Sequence, residues 1–287
     1  MSITPLYLED CKKYYLTDKI YLQGYSCAGD RTGFMIYPHK ILFDCGVRTQ
    51  QAPEYILTTH SHIDHTGELP YICNRHKLFE KDSYKVYTPE STISALSMLI
   101  KGISVASFPE SINVSIEETL KHQKINLIPI NAKDKFLIKN YEIEVFPAYH
   151  SVQSVGYGIS SCVKKLKEEY SNIEKTKLIK LKKSGIDILE NKVSPEIVLY
   201  CDSTIENLKN HEDWKKYPII VCECTNFDEK ISDEHTSLFQ LLPIMLENID
   251  KLWCLIHTSR KLKDDMIEVE EIKLKSYGLN IKIMGRQ

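Results

Sequence analysis

The residues Thr59-His60-Ser61-His62-Ile63-Asp64-His65 place four metal-capable side chains within six positions. Neutral imidazoles suit zinc, and a carboxylate adds charge balance. On a turn that follows a strand, His60 and His62 point one way. Asp64 and His65 turn toward a neighbouring point. Such an arrangement suits two metals about 3.5–4 Å apart. A mononuclear site needs no more than three of these groups plus water. The bland alternative is a surface loop that happens to be rich in histidine. The strand before it and a set of distant partners argue against that.

The distant partners sit at strand ends. Tyr55–Thr58 runs into His60, Tyr141–Phe146 into His150, Ile197–Cys201 into Asp202, Ile219–Cys222 into Glu223, and Leu252–Ile256 into His257. Buried strands hold such groups rigidly while the following loops leave them accessible. Further strands are expected at Gly33–Tyr37, Lys40–Asp44, Tyr84–Tyr87, Ile125–Ile130, Lys135–Ile138 and Leu279–Met284. Helices are expected from Thr88-Pro89-Glu90 to Lys101-Gly102, over Thr236–Glu247 and over Asp264–Lys275. The chain shows no short-period repeat and no low-complexity linker.

The composition frames this pattern. The chain has 287 residues, 43% of them hydrophobic and 26% charged, which excludes a disordered or fibrous protein. Lys plus Arg total 37 against 39 Asp plus Glu, so a globally basic polyanion binder is excluded and any such site must be local. Nine cysteines include no Cys-x-x-Cys pair, and several lie in apolar runs. They read as reduced core residues, with Cys222 and Cys224 on one strand face. No signal-peptide pattern or bilayer-length apolar stretch is present, which predicts no membrane association and a cytoplasmic or nuclear location. His39, His76, His122 and His211 lie in polar or lysine-rich surroundings and read as surface residues.

The first motif is the His-x-His-x-Asp-His signature of the metallo-β-lactamase fold. Ala148-Tyr149-His150 and Tyr200-Cys201-Asp202-Ser203-Thr204 resemble the downstream His and bridging Asp of that fold. Glu223-Cys224-Thr225-Asn226-Phe227 followed by His235-Thr236-Ser237 resembles the Glu-Ala-Thr-Phe … His-Ser-Thr signature of ribonuclease Z. Leu255-Ile256-His257-Thr258-Ser259-Arg260 resembles its final His-x-Ser-x-Arg element. From about Leu22 onward the chain therefore resembles the short form of tRNase Z, the tRNA 3′-processing endonuclease.

The resemblance implies an α/β fold: an αββα sandwich of two mixed sheets flanked by helices, with a short basic arm. It implies two Zn²⁺ ions, with Mn²⁺ as a possible substitute. His60, His62 and His150 would hold one ion, Asp64, His65 and His257 the other, and Asp202 would bridge. The metals would share a water or hydroxide of lowered pKa in line with phosphorus, and Asp64 could orient it or take its proton. His235, polarised by Glu223, would protonate the leaving 3′ oxygen. Precursor tRNA is the implied partner, cut to leave a 3′-hydroxyl and a trailer 5′-phosphate, and the family is commonly a homodimer.

Residues 1–287 are expected to form one domain with a lysine-rich arm inserted at 163–194. Lys164–Lys183 carries eight lysines and three glutamates, a local charge of +5 in a chain of net −2. Clustered positive charge drives phosphate binding. Lys164, Lys165, Lys167, Lys175, Lys177, Lys180, Lys182 and Lys183 are therefore candidate RNA contacts, as are Arg31 and Arg260. The arm equally reads as a solvated amphipathic helix with Leu166, Ile173, Leu178 and Leu181 packed down. The chain departs from the family pattern at Ala28-Gly29-Asp30-Arg31-Thr32-Gly33, which replaces a Pro-x-Lys-x-Arg-Asn loop. It also departs at Glu68 after the first motif, and at Cys201 and Ser203 around the bridging Asp. Two rival functions stay open from sequence: hydrolysis of another phosphodiester, RNA or lactam, and metal-stabilised RNA binding without catalysis.

Overall fold

The central parallel strands are short apolar runs buried on both faces. In Leu252–Ile256, residues Leu252, Cys254 and Ile256 join an apolar cluster between two sheets. The alternate Trp253 and Leu255 join a second cluster beneath helices. Ile197 and Leu199 split from Val198 and Tyr200 in the same way. Two-sided burial forces four layers, helix–sheet–sheet–helix.

The computed structural model describes residues 7–75, 82–229 and 232–284. The first sheet orders β1 (Lys13–Tyr15), β2 (Tyr21–Cys27), β3 (Arg31–Tyr37), β4 (Ile41–Phe43), β5 (Tyr55–Leu57), β6 (Tyr84–Pro89) and β7 (Ile125–Ile130) side by side. The second orders β8 (Lys135–Ile138), β9 (Tyr141–Ala148), β10 (Ser154–Leu166), β11 (Leu189–Leu199), β12 (Ile219–Glu223), β13 (Leu252–Ile256) and β14 (Asn280–Ile283). Each sheet runs antiparallel through its first four strands and parallel through its last four. This is the expected pair of mixed sheets.

The helices are α1 (Ile63–Thr66), α2 (Leu69–Asn74), α3 (Ile93–Ser107), α4 (Ile116–His122), α5 (Lys175–Lys183), α6 (Glu206–Asn210), α7 (Leu238–Glu247) and α8 (Asp264–Ser276). α2 and α3 cover the outer face of the first sheet through Leu69, Ile72, Leu96 and Ile100. α7 and α8 cover the second through Leu241, Met245, Ile267 and Leu274. α3 passes the Gly102 at which it was expected to stop. That glycine faces solvent while Leu96 and Ile100 anchor the underside. α7 begins two residues later than expected. The Thr236 N–H is taken by the Glu223 carboxylate, and Ser237 with Gln240 forms the capping box instead.

The lysine-rich arm is part ribbon and part helix. β10 pairs with β9 only as far as Ser161, and beyond that it pairs with β11 alone, to Leu166 opposite Leu189. α5 sits at the tip. Leu166, Ile173, Leu178 and Leu181 are half-buried, and Ile188 is buried. Lys167 is half-buried and the other seven candidate lysines are exposed.

His39 corrects the surface reading. It is buried, its Nε2 lies 2.8 Å from Glu196 Oε2, and its ring rests 4.3 Å from that of Tyr141. The turn between β3 and β4 folds back onto the second sheet, so a polar-looking sequence neighbourhood is an inter-sheet contact. The Glu196 carboxyl is half-buried, which works against its charge, but the His39 bond and charge hold it below its ordinary value. His211 is half-buried against Tyr149, and His122 is exposed. His76 lies outside the described residues.

Candidate metal centre

The first motif splits in two because the strand ends and a single helical turn begins. His60 follows the end of β5, and His62 caps α1, which rotates Asp64 and His65 to the other side. His60, His62, His150 and Asp202 bring ligand-type atoms within 4.8 Å of one another, and Asp64, His65 and His257 form a second such group. The Asp202 carboxylate lies between them. Its Oδ2 is 3.9 Å from His60 Nε2 and 3.8 Å from His150 Nε2. Its Oδ1 is 3.3 Å from His65 Nε2 and 3.1 Å from His257 Nε2. Asp202 reaches this point on the loop that follows Leu199, the last residue of β11.

A shell of hydrogen bonds fixes each ring. Thr59 Oγ1 meets His60 Nδ1 at 2.9 Å, Asp44 Oδ2 meets His65 Nδ1 at 2.9 Å, and the Glu234 carbonyl meets His150 Nδ1 at 2.9 Å. Nδ1 is thereby occupied and Nε2 is turned inward, as metal-binding histidines are commonly held. Asp44 also accepts from the Thr59 N–H and hydroxyl, so it steadies two motif residues at once. Sequence reasoning missed Asp44. Its signal was available, since it ends the Lys40–Asp44 strand as Asp202 and Glu223 end theirs.

The buried Nε2 atoms of His60, His65 and His257 have no hydrogen-bond partner. Orphaned inward lone pairs of this kind, around a carboxylate, fit a metal rather than a core histidine. The charge balance agrees. Burial opposes the charge of Asp202, but His257 and His65 hold it well below the ordinary carboxylate range. Burial also opposes charge on His257, yet Asp202, with the Asp64 and Glu223 carboxylates close by, lifts it to about 9. Burial, with His65 beside it, pushes His60 well down. The carboxylates thus demand positive charge at the centre, which a divalent cation supplies.

Glu223 and His235 stand beside the centre. Glu223 ends β12 on the inter-sheet side and is 1% exposed. Its carboxylate accepts from His235 Nδ1 at 3.0 Å, Thr225 Oγ1 at 3.0 Å and the Thr236 N–H at 3.2 Å. The His235 ring lies 5.3 Å from His150 and 5.5 Å from His257. Burial pushes the His235 pKa down, but the Glu223 bond and charge prevail and raise it.

The departures from the family pattern are accommodated. Glu68 does not face the centre, because it binds Arg48 Nε at 2.8 Å. Cys201 packs between the sheets and its thiol donates to Asp202 Oδ1 at 3.4 Å. A bridge between Cys27 and Thr258 sets the 28–33 turn beside the His257 loop. There Arg31 and Arg260 share Asp30, at 3.8 and 2.8 Å. The arm lysines are not brought to the centre. β10 starts there at Ser154 and runs away from it, reaching Leu166 roughly 40 Å on at ~3.3 Å per residue.

One glycine holds the motif in place. A Cβ on Gly46 would lie 1.8 Å from the Asp64 carbonyl oxygen. Gly46→Ala is expected to cost about 1–3 kcal/mol, as overpacking does, and to displace Asp64. The purified variant should show a lowered Tm and less bound metal by elemental analysis. Full metal content would show that the backbone here gives way without harm.

Solved structures similar to this chain share its fold. The metallo-β-lactamase fold protein YhfI of Bacillus subtilis superposes with a TM-score of 0.56 at 13% identity, covering 93% of this chain and 96% of that one. A diphosphatase of the PhnP family gives 0.54 at 12%, covering 91% and 92%. The protein has the metallo-β-lactamase fold, and its clustered His and Asp residues are of the kind that could hold a metal. No family model matches the chain. Among curated proteins, tRNase Z TRZ1 of Arabidopsis thaliana is 30% identical over 220 residues, 75% of this chain and 74% of that protein. The chloroplastic tRNase Z TRZ2 of the same plant is 27% identical over 268 residues, 89% and 72%. The chain belongs to the tRNase Z family, the tRNA 3′-processing endoribonucleases of this fold. No described helix is long and apolar enough to cross a membrane.

Proposed function

We propose that the protein removes 3′ trailers from precursor tRNA, leaving a tRNA 3′-hydroxyl and a trailer 5′-phosphate. The observation that carries this reading is Asp202 between two imidazole groups, with the Glu223–His235 pair alongside. His60, His62 and His150 would hold one metal, Asp64, His65 and His257 the second, and Asp202 both. The preferred ion is Zn²⁺, with Mn²⁺ as a substitute, because imidazole and carboxylate ligands suit either. Bound there, the metals would supply Lewis acidity toward the scissile phosphate and lower the pKa of the attacking water.

The chain's own groups do the rest. Asp64, 14% exposed at its side chain, reaches the open side of the centre and can accept the proton of the nucleophile. His235 stays protonated at higher pH than a free imidazole, held so by Glu223, and delivers its proton to the leaving 3′ oxygen. Arg31 and Arg260, at the lip formed by the 28–33 turn, would meet phosphates next to the cut. The arm at 163–194 is an insertion in a single domain. It points away from its own centre, which favours a homodimer in which Lys164, Lys165, Lys167, Lys175, Lys177, Lys180, Lys182 and Lys183 grip tRNA seated on the partner.

The test is a trailer-cleavage assay on a 3′-extended precursor tRNA with metal-loaded protein, the ends being mapped. One cut after the discriminator base is expected, and chelation should abolish it. Intact precursor after long incubation with two metals bound would overturn the reading.

A further inference from the structure

A cavity of about 510 Å³ opens directly beside the metal centre. His150 lines one wall, and Ser232 and Asp233, on the stretch that leads to His235, line another. The cavity therefore touches both the centre and the segment that carries the proton donor for the leaving oxygen. Its remaining walls include Tyr149, Thr204 and Glu206.

Tyr149 is 43% exposed, although it stands between the buried end of β9 and His150. Its ring lies parallel to that of His211, 15° between planes and 6.2 Å between centroids, and its hydroxyl meets His211 Nε2 at 3.1 Å. The Thr204 N–H donates to the Tyr149 carbonyl at 2.8 Å, which ties this backbone to the loop that carries Asp202. A flat aromatic surface is thus held in fixed relation to the centre, with no part in the metal cluster.

The charge of the cavity says what it takes. Among the described residues its lining holds Glu206 and Asp233 but no Lys or Arg. A phosphate would be repelled there. A planar, uncharged ring with N–H donors at its edge would stack on Tyr149 and donate to the carboxylates. That is the chemistry of a nucleobase.

We propose that Tyr149, backed by His211, is a stacking platform for the base of the nucleotide that carries the leaving 3′ oxygen. The placement rests on the endonuclease reading and on His235 as the proton donor. The platform holds the nucleoside to be released while its phosphate lies over the centre. Tyr149 and His211 are positioning residues that fix where the chain is cut.

The test uses full-length, metal-loaded protein and three matched precursor RNAs. One is intact, one lacks the base at the leaving nucleotide, and one lacks the base of the first trailer nucleotide. For the wild-type protein, loss of the first base should lower kcat/KM about tenfold, as loss of a stacked base does, and loss of the second should have much less effect. Tyr149→Ala should cut the intact RNA as slowly as wild type cuts the RNA lacking the leaving-nucleotide base, and should be insensitive to that base. Tyr149→Phe should keep the wild-type ratio, and His211→Ala should reduce it without altering bound metal. If Tyr149→Ala keeps the wild-type ratio, or the sensitivity lies at the trailer base, the platform is wrong. If wild-type protein fails to cut the intact RNA, the endonuclease reading itself fails, and the platform with it.

Discussion

Asp202→Ala should leave the protein folded, short of metal, and slower in single-turnover cleavage by roughly 10³-fold or more. That magnitude follows from losing several kcal/mol of metal-supplied stabilisation at 1.36 kcal/mol per tenfold. Each of its oxygens faces a different imidazole group, so no single histidine replacement removes as much. Asp202→Asn keeps the shape and loses the charge that the surrounding imidazoles hold in place. It should therefore resemble the alanine variant in metal content more than the wild type. Elemental analysis beside the rate measurement separates the outcomes. Wild-type metal and wild-type rate in both variants would remove Asp202 from the centre of the mechanism.

His235→Ala should slow cleavage by about 10²–10⁴-fold, the usual range for a general acid, with bound metal unchanged. A substrate with sulfur in place of the leaving 3′ oxygen needs no such proton, and it should recover most of the lost rate. The Asp202→Ala defect should not recover. Glu223→Gln tests the partner. Burial alone would push His235 down, and Glu223 is what raises it. Without that charge the acid loses its proton at lower pH, so the alkaline fall in rate should move to lower pH. An unmoved profile would mean that Glu223 only braces the loop through Thr225 and Thr236.

Much of this centre was legible in the sequence because its residues sit at strand ends, where short apolar runs announce them. β7, β8 and β13 have the boundaries read from pattern alone. β2 was missed because Gln23, Gly24 and Ser26 break its apolar run. All three are buried by tertiary contacts, such as the Gln23 amide donating to the Glu9 and Cys11 carbonyls. β10 was missed for a related reason. Gly156 and Gly158 read as turn punctuation, yet the ring of Tyr200 stands about where a Cβ on Gly156 would, 2.5 Å away. Nothing local announces a ring from another strand. The buried His39 reads as a surface residue for the same reason, since its partner Glu196 lies 157 residues away.

The division of the chain into two sheets of similar plan also sets a timetable. The first seven strands bring His60, His62, Asp64 and His65, and the last seven are needed for His150, Asp202, Glu223 and His257. A nascent chain that has finished its first half can hold a cation loosely but has neither the shared carboxylate nor the proton donor. The candidate centre is complete only after His257, which follows β13, has been made. The order of translation therefore supplies the shared carboxylate, the proton donor and His257 after the first motif.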